Sequence, residues 1–202
     1  MSSNSPRISV CIPTHDIPER GFFLDRLMES LEKQTFQDFE VVVTEEGAMA
    51  HNTNEAIKKA KGDIVKILFM DDYLYSPFAL QHIHHNFRKG WLVSGCIQDE
   101  GSLHSPHSPS YNDDMLAGKN TIGSPSVLAF ENNDPLLFDE ELSWLLDCDL
   151  YHRLHKRYGG PTIIDYVDVA IGVGPHQTTN TMSEEAKQKE HEYLQHKYGT
   201  SN

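Results

Sequence analysis

The sequence predicts a single α/β domain built on a mostly parallel central sheet flanked by helices. Three observations carry this expectation. Short runs of branched apolar residues at 7–12, 39–43 and 64–70 read as buried strands. Between them lie segments with apolar residues at helical spacing, giving strand–helix–strand–helix–strand, the order of parallel strands joined by right-handed crossovers. The length, 202 residues, suits one domain with a sizeable core, and 38% apolar with 23% charged residues is ordinary for a globular chain.

The first strand, 7–12, stops at Pro13, and a loop follows over 15–21. Phe23, Leu24, Leu27, Met28 and Leu31 share one helical face, so a helix is expected at about 22–34. The second strand is 39–43. A short helix over 52–61 is expected to close at Gly62 in a left-handed stop. The third strand, 64–70, ends on Met70-Asp71-Asp72. Ser76 and Pro77 read as the cap and first position of another helix ending near Gly90. A fourth strand spans 91–97. Residues 98–120, rich in Ser, Pro, Asp and Gly, read as a long loop. A short strand at 126–130, a helix within 140–158, a strand region at 162–173 and a polar helix at 183–198 complete the chain. No internal repeat or second domain is visible. The expected division is a half at 7–98, a half at 99–176, and a peripheral C-terminal helix.

The formal net charge is −13, which excludes wrapping nucleic acid, since that binding is driven by phosphate neutralisation. Cys11, Cys96 and Cys148 lack paired spacing and read as reduced core residues. His82, His84 and His85 are expected on a solvated helix face. Residues 1–7 carry no apolar leader, and no apolar run approaches the ~18 residues of a membrane span. No transmembrane segment and a cytoplasmic location are therefore expected.

Asp71 and Asp72 are the most informative pair. They follow an apolar strand, at the carboxyl edge where open α/β sheets bind ligands. Adjacent like charges there suit a hard divalent cation that bridges to substrate phosphate. The alternative is a strand-end turn, where Asp is common.

The residues then resemble a family. Ile8-Ser9-Val10-Cys11-Ile12-Pro13-Thr14-His15-Asp16 resembles the opening strand of family 2 glycosyltransferases. Ser30-Leu31 with Gln34-Thr35 and Glu40-Val41 resembles the next conserved segment of that family. Asn54, Ile57, Ala60 and Gly62 match its spacing, and Met70-Asp71-Asp72 falls at its DXD-type metal motif. Phe138-Asp139-Glu140 and Asp147-Cys148-Asp149-Leu150 with Arg153-Leu154 resemble its acceptor block. The resemblance runs from about residue 7 to 158.

It implies a Rossmann-like GT-A fold and transfer, with inversion, of a hexose from a nucleotide-diphosphate donor to a glycan or other hydroxyl acceptor. It also implies a Mn2+ or Mg2+ cofactor. The donor implied is a UDP-sugar such as UDP-glucose. Pro13, Thr14, His15, Asp16, Glu45, Glu46, Asn54 and Asp71 would contact the nucleotide, and Asp71 and Asp72 the metal. His176 matches a late-loop metal ligand in position only, and an ordinary loop histidine is its equal alternative. Asp147 would be the general base, with Asp149 its competitor; Asp147 also reads as the cap of the following helix. Departures from the family are Thr44-Glu45-Glu46-Gly47 at the second strand's end, Thr53 before Asn54, and Leu146 before Asp147. Two other readings stand beside this one. The first is a binding-only relative of the fold. The second is a sugar-phosphate nucleotidyltransferase, disfavoured because 15–21 lacks a glycine-rich basic loop. A homo-oligomer joined through the 183–198 helix is also allowed.

Overall fold

The computed structural model describes residues 5–199, so the start of the stretch read for a leader, 1–4, lies outside it. An α/β domain forms around one eight-stranded sheet, in the order β2-β1-β3-β7-β5-β8-β4, with β6 paired to β5. β1 (Ile8–Pro13), β2 (Phe39–Thr44) and β3 (Ile64–Ile67) are parallel. They are joined by α1 (Arg20–Glu32) and α2 (Met49–Lys59). Every residue of β1 is buried, because helices and neighbouring strands cover it on all sides.

The other half departs from the expected parallel order. β7 (Leu128–Glu131) enters antiparallel between β3 and β5 (Trp91–Asp99). β8 (Thr162–Gly172) runs parallel to β5, and the two-residue β4 (Tyr73–Leu74) closes the edge antiparallel to β8. The sheet is therefore mixed. Residues 98–120 are also more ordered than their composition implies. β5 runs to Asp99, β6 (Leu103–His107) folds back on it as a hairpin, and Asp113–Ala117 forms a 3-10 turn. Alternation is weak in β6, whose residues are largely exposed, which is why periodicity missed it.

Helix boundaries moved for identifiable reasons. α3 (Ala79–Asn86) starts after the Ser76-Pro77 signal. The Ser76 hydroxyl accepts from Phe78 N, and the carbonyl of the Gln34 side chain accepts from Leu80 N at 3.1 Å. A residue 46 positions away thus caps this helix. His82 and His84 are not on a fully solvated face: His82 pairs with buried Asp168 at 2.8 Å, and His84 stacks on Phe36. The three cysteines are free and buried, as expected.

Gly62 is not a left-handed stop, since α2 ends at Ala60 with an extended backbone and Gly62 has no positive φ. Its role is close approach. A Cβ there would sit 2.8 Å from the backbone of Ile8 and Ser9, and its N–H donates to Ser9 Oγ at 2.8 Å. Gly21, within α1, has nothing within 4 Å of its Cβ direction.

α4 (Leu146–Tyr158) carries the acceptor-block residues, and α6 (Glu184–Tyr198) ends the described chain, after the short helix α5 (Thr178–Thr181). Ser183 caps α6 as expected, accepting from Ala186 N. Among the described residues no helix is long and apolar enough to cross a membrane.

The two glycines predict opposite signs. Gly62→Ala should destabilise by about 1–3 kcal/mol, the cost of forcing an atom into packed backbone. Gly21→Ala should stabilise by about 0.5–1 kcal/mol, the helical preference for alanine. Urea unfolding midpoints of both variants check this.

Candidate active site

The carboxyl ends of β1, β3 and β8 meet the start of α4 around a cleft of ≈ 500 Å³. Pro13 lines it from the end of β1 and His15 from the loop that follows, and Asp71 and Asp72 from the turn after β3. Ser124 and Pro125, Ser143 to Asp147 excepting Leu145, and His176 to Thr179 complete the wall.

The two aspartates after β3 have different environments. Asp72 is buried, accepting from Gly172 N at 2.8 Å and from the Ser124 hydroxyl at 3.1 Å. Burial, and then the Asp71 charge beside it, push its carboxyl well above the usual carboxylate range. Fully buried Lys66 lies beneath; burial pushes its amine down to about 8, and Asp168 and Asp72 oppose that shift. Asp71 points the other way, its Oδ2 3.0 Å from His176 Nε2. Its backbone oxygen accepts from the Arg26 guanidinium at 2.6 Å. Asp72 accepts from backbone and hydroxyl donors while still lining the cleft beside Asp71, so the two expected metal ligands share one cleft edge in unlike environments. Among the described residues no cluster of three or more His, Cys, Asp or Glu side chains could hold a metal. The Asp71–His176 pair does fit a cation that takes its remaining ligands from substrate phosphate.

The acceptor-block aspartates also separate. Asp149 is fully buried and saturated: Arg153 Nε, Lys197 Nζ and the Tyr198 hydroxyl all donate to it within 2.7 Å. It does not face the cleft. Asp147 lines the cleft, is partly exposed, and sits inside the first turn of α4 rather than at the cap position, which Leu145 occupies. Its oxygens accept from Cys148 N and from the Asn120 amide, both at 2.7 Å. Burial pushes its carboxyl up to about 6 in spite of those bonds.

Other expected contacts are only partly gathered. Thr14 is buried, donating to Thr44 O, and Asp16 is exposed. Glu45 pairs with Arg20 and Glu46 with Lys59, each at 2.6 Å and solvent-exposed. Asn54 does not line the cleft. Its amide donates to Phe138 O and Glu140 Oε1 and accepts from Phe138 N, binding α2 to the acceptor block. Asn52, which the sequence did not single out, ties the ends of β1 and β2 together. It donates to Thr14 O at 2.8 Å and accepts from Glu46 N at 3.0 Å. Its place one turn into α2, opposite two strand ends, leaves no periodic signal.

The helix expected to be peripheral packs on the acceptor block. Glu190 of α6 is buried, and its carboxylate accepts from Ser143 N, Trp144 N and Leu145 N at 2.8–3.2 Å. Trp144, also missed, lines the cleft just before Asp147.

No protein-family model matches the chain, and no curated protein matches it. Solved structures do. S. aureus TarS aligns at a TM-score of 0.63 with 17% identity, over 97% of this chain and 44% of that one. TarS 1-349 in complex with UDP-GlcNAc aligns at 0.61 with 15% identity, over 88% and 61%. The mannosyltransferase PcManGT from Pyrobaculum calidifontis, in complex with GDP-Man and Mn2+, aligns at 0.57 with 16% identity, over 84% and 57%. The fold is that of glycosyltransferase structures. The chain spans about half the length of these proteins, and the likeness is one of fold.

Removing charge from Asp149 would leave Arg153 without its carboxylate and Lys197 with Asp139 alone. Asp149→Asn should therefore destabilise by about 1.5–3 kcal/mol, the worth of a hydrogen bond to a charged group. Denaturant unfolding at neutral pH measures it.

Proposed function

We propose that the chain is a glycosyltransferase that moves a hexose from a nucleotide-diphosphate donor to a hydroxyl acceptor. In this reading the donor is a UDP-sugar such as UDP-glucose, and the anomeric configuration inverts. The observation that carries the reading is the sharing of one cleft by an open, weakly acidic carboxyl, Asp147, and the Asp71–His176 pair. The first suits proton removal; the second suits a diphosphate. The shared fold with TarS bound to UDP-GlcNAc and with a GDP-Man mannosyltransferase supports it.

In this reading Pro13 and His15 receive the nucleoside, and Asp71 the ribose and cation. Thr14, buried behind Pro13 and His15, holds them through its bonds to Thr44 O and Asn52. The Lys59–Glu46 and Arg20–Glu45 pairs are exposed, and exposed pairs are worth little. Either glutamate can leave its partner to accept from a uracil imide. Asp71 and His176 would hold Mn2+ or Mg2+. Such a cation, when bound, neutralises charge on a departing diphosphate.

Asp147 does the proton work. Held by Cys148 N and Asn120, it accepts the proton of the acceptor hydroxyl as that oxygen attacks the anomeric carbon. The bond to the diphosphate breaks on the opposite face, so a single displacement inverts configuration. A carboxyl held near 6 is ionised at neutral pH yet more basic than an ordinary Asp, which matches a general base to its task.

Two measurements test the reading. Calorimetry with UDP should show affinity that falls at least about tenfold on adding EDTA and returns with Mn2+; equal affinity without metal removes the cation from the scheme. Asp147→Asn should lower kcat by about 10²–10⁴-fold, the range for general acid–base catalysis, with UDP affinity unchanged. Because a raised acid pKa means the basic form is lost below it, wild-type kcat should fall about tenfold per pH unit below about pH 6. Asp147→Asn should lack that limb. Wild-type turnover that is indifferent to this substitution refutes the base assignment.

A further inference from the structure

α4 begins without a cap of its own: Leu145 occupies the cap position and no side chain there bonds the first turn. The backbone donors just ahead of the helix are those of Ser143, Trp144 and Leu145, and all bond the one carboxylate of Glu190. A negative charge at that point also meets the positive end of the helix. The segment that precedes Asp147 is thereby fixed by a residue of α6, although α6 itself does not line the cleft. The same helix fixes the indole of Trp144. Lys187 Nζ lies over the ring, 5.4 Å from its centroid, and the His191 ring meets it edge-on at 83°. An aromatic plane is thus immobilised in both backbone and side chain, on the cleft wall, three residues from the candidate base.

A rigid aromatic plane on the wall of a cleft that also holds carboxylates suits a ligand with one flat apolar face and hydroxyls around its rim. A pyranose ring in its chair form has that shape, through its axial C–H groups. An open-chain polyol has the same hydroxyls and no fixed face. We infer that Trp144 is the platform of an acceptor subsite for a pyranose, pinned in place by Glu190. This rests on the glycosyltransferase reading and adds the class of acceptor, a carbohydrate ring presenting one hydroxyl toward Asp147.

The test is ligand-observed saturation-transfer NMR on the full chain with Mn2+ and UDP present. The probes are methyl pyranosides of glucose, galactose, mannose and N-acetylglucosamine, with glucitol as the open-chain control. Saturation should reach ring C–H protons of at least one pyranoside and not glucitol. The same pyranoside should alter tryptophan emission, which reports Trp144 because the only other tryptophan, Trp91, is buried. Trp144→Ala should weaken its binding by at least about tenfold, whereas Trp144→Phe, which keeps a ring, should stay within about threefold. Glu190→Gln puts an amide donor against backbone N–H groups. It should weaken the pyranoside about tenfold while leaving UDP affinity unchanged, a split that general unfolding would not give.

Contact with no pyranoside while UDP binds overturns the inference, as does binding that survives Trp144→Ala. So does a pyranoside displaced by UDP-GlcNAc but not by UDP, which would place the platform under the donor sugar. Pyranoside binding at Trp144 with no affinity for UDP would leave the subsite standing and refute the glycosyltransferase reading instead.

Discussion

The joint between Asp72 and Gly172 is the constraint on which the site depends. Two residues 100 positions apart meet because the Gly172 N–H donates to a buried carboxylate and because Gly172 has no Cβ. A Cβ there would fall 2.1 Å from the Asp71 backbone oxygen. The turn after β3 is thereby locked to the end of β8, and Ser124 joins both to the segment leading into β7. With Asp72 held inward, Asp71 faces outward, where His176, four residues beyond Gly172, meets it. Burying the Asp72 carboxyl is costly, and the donors Gly172 N–H, Ser124 and Ser126 around it oppose that cost.

The acceptor side repeats this division of labour between neighbouring acids. Asp149 is fully buried among Arg153, Lys197 and Tyr198 and does not line the cleft. Asp147, two residues earlier on the same helix, faces the cleft, and among the described residues no cation pairs with it. Environment alone makes one a structural anchor and the other a weak acid near neutrality. The anchor in turn explains why α6 matters: Lys197 and Tyr198 at its end, and Glu190 in its middle, hold the helix that carries Asp147.

The motifs that resemble family 2 glycosyltransferases behave in the structure largely as joints. Ser30 accepts from Leu74 N, Gln34 caps α3, Ser9 gathers Gly62 N and Lys61 N, and Asn54 clamps the start of the acceptor block. Side chains of this kind fix where strand ends and loops meet, so a site can be placed by residues that never touch a ligand.

Much of this was set by local sequence. Runs of branched apolar residues specify β1, β2 and β3, and helical spacing places α1 and α4 within a few residues, because each pattern depends on neighbours in the chain. The burial expected of β2 is not found, since it lies at the sheet edge with its residues mostly half-exposed. The carboxylate pair at a strand end, Asp147 ahead of an amphipathic stretch, and the three reduced cysteines were legible for the same reason. Tertiary structure alone decided the rest. The antiparallel entry of β7 depends on which edge is free. The capping of α3 by Gln34 and of α4 by Glu190 depends on residues 45 or more positions away. Whether Asp71 or Asp72 turns outward depends on the N–H of Gly172, and whether Asp147 or Asp149 stays unpaired depends on Lys197 and Tyr198. Those choices are made by hydrogen bonds and charges brought together through the fold, and a one-dimensional pattern carries no record of distance in space.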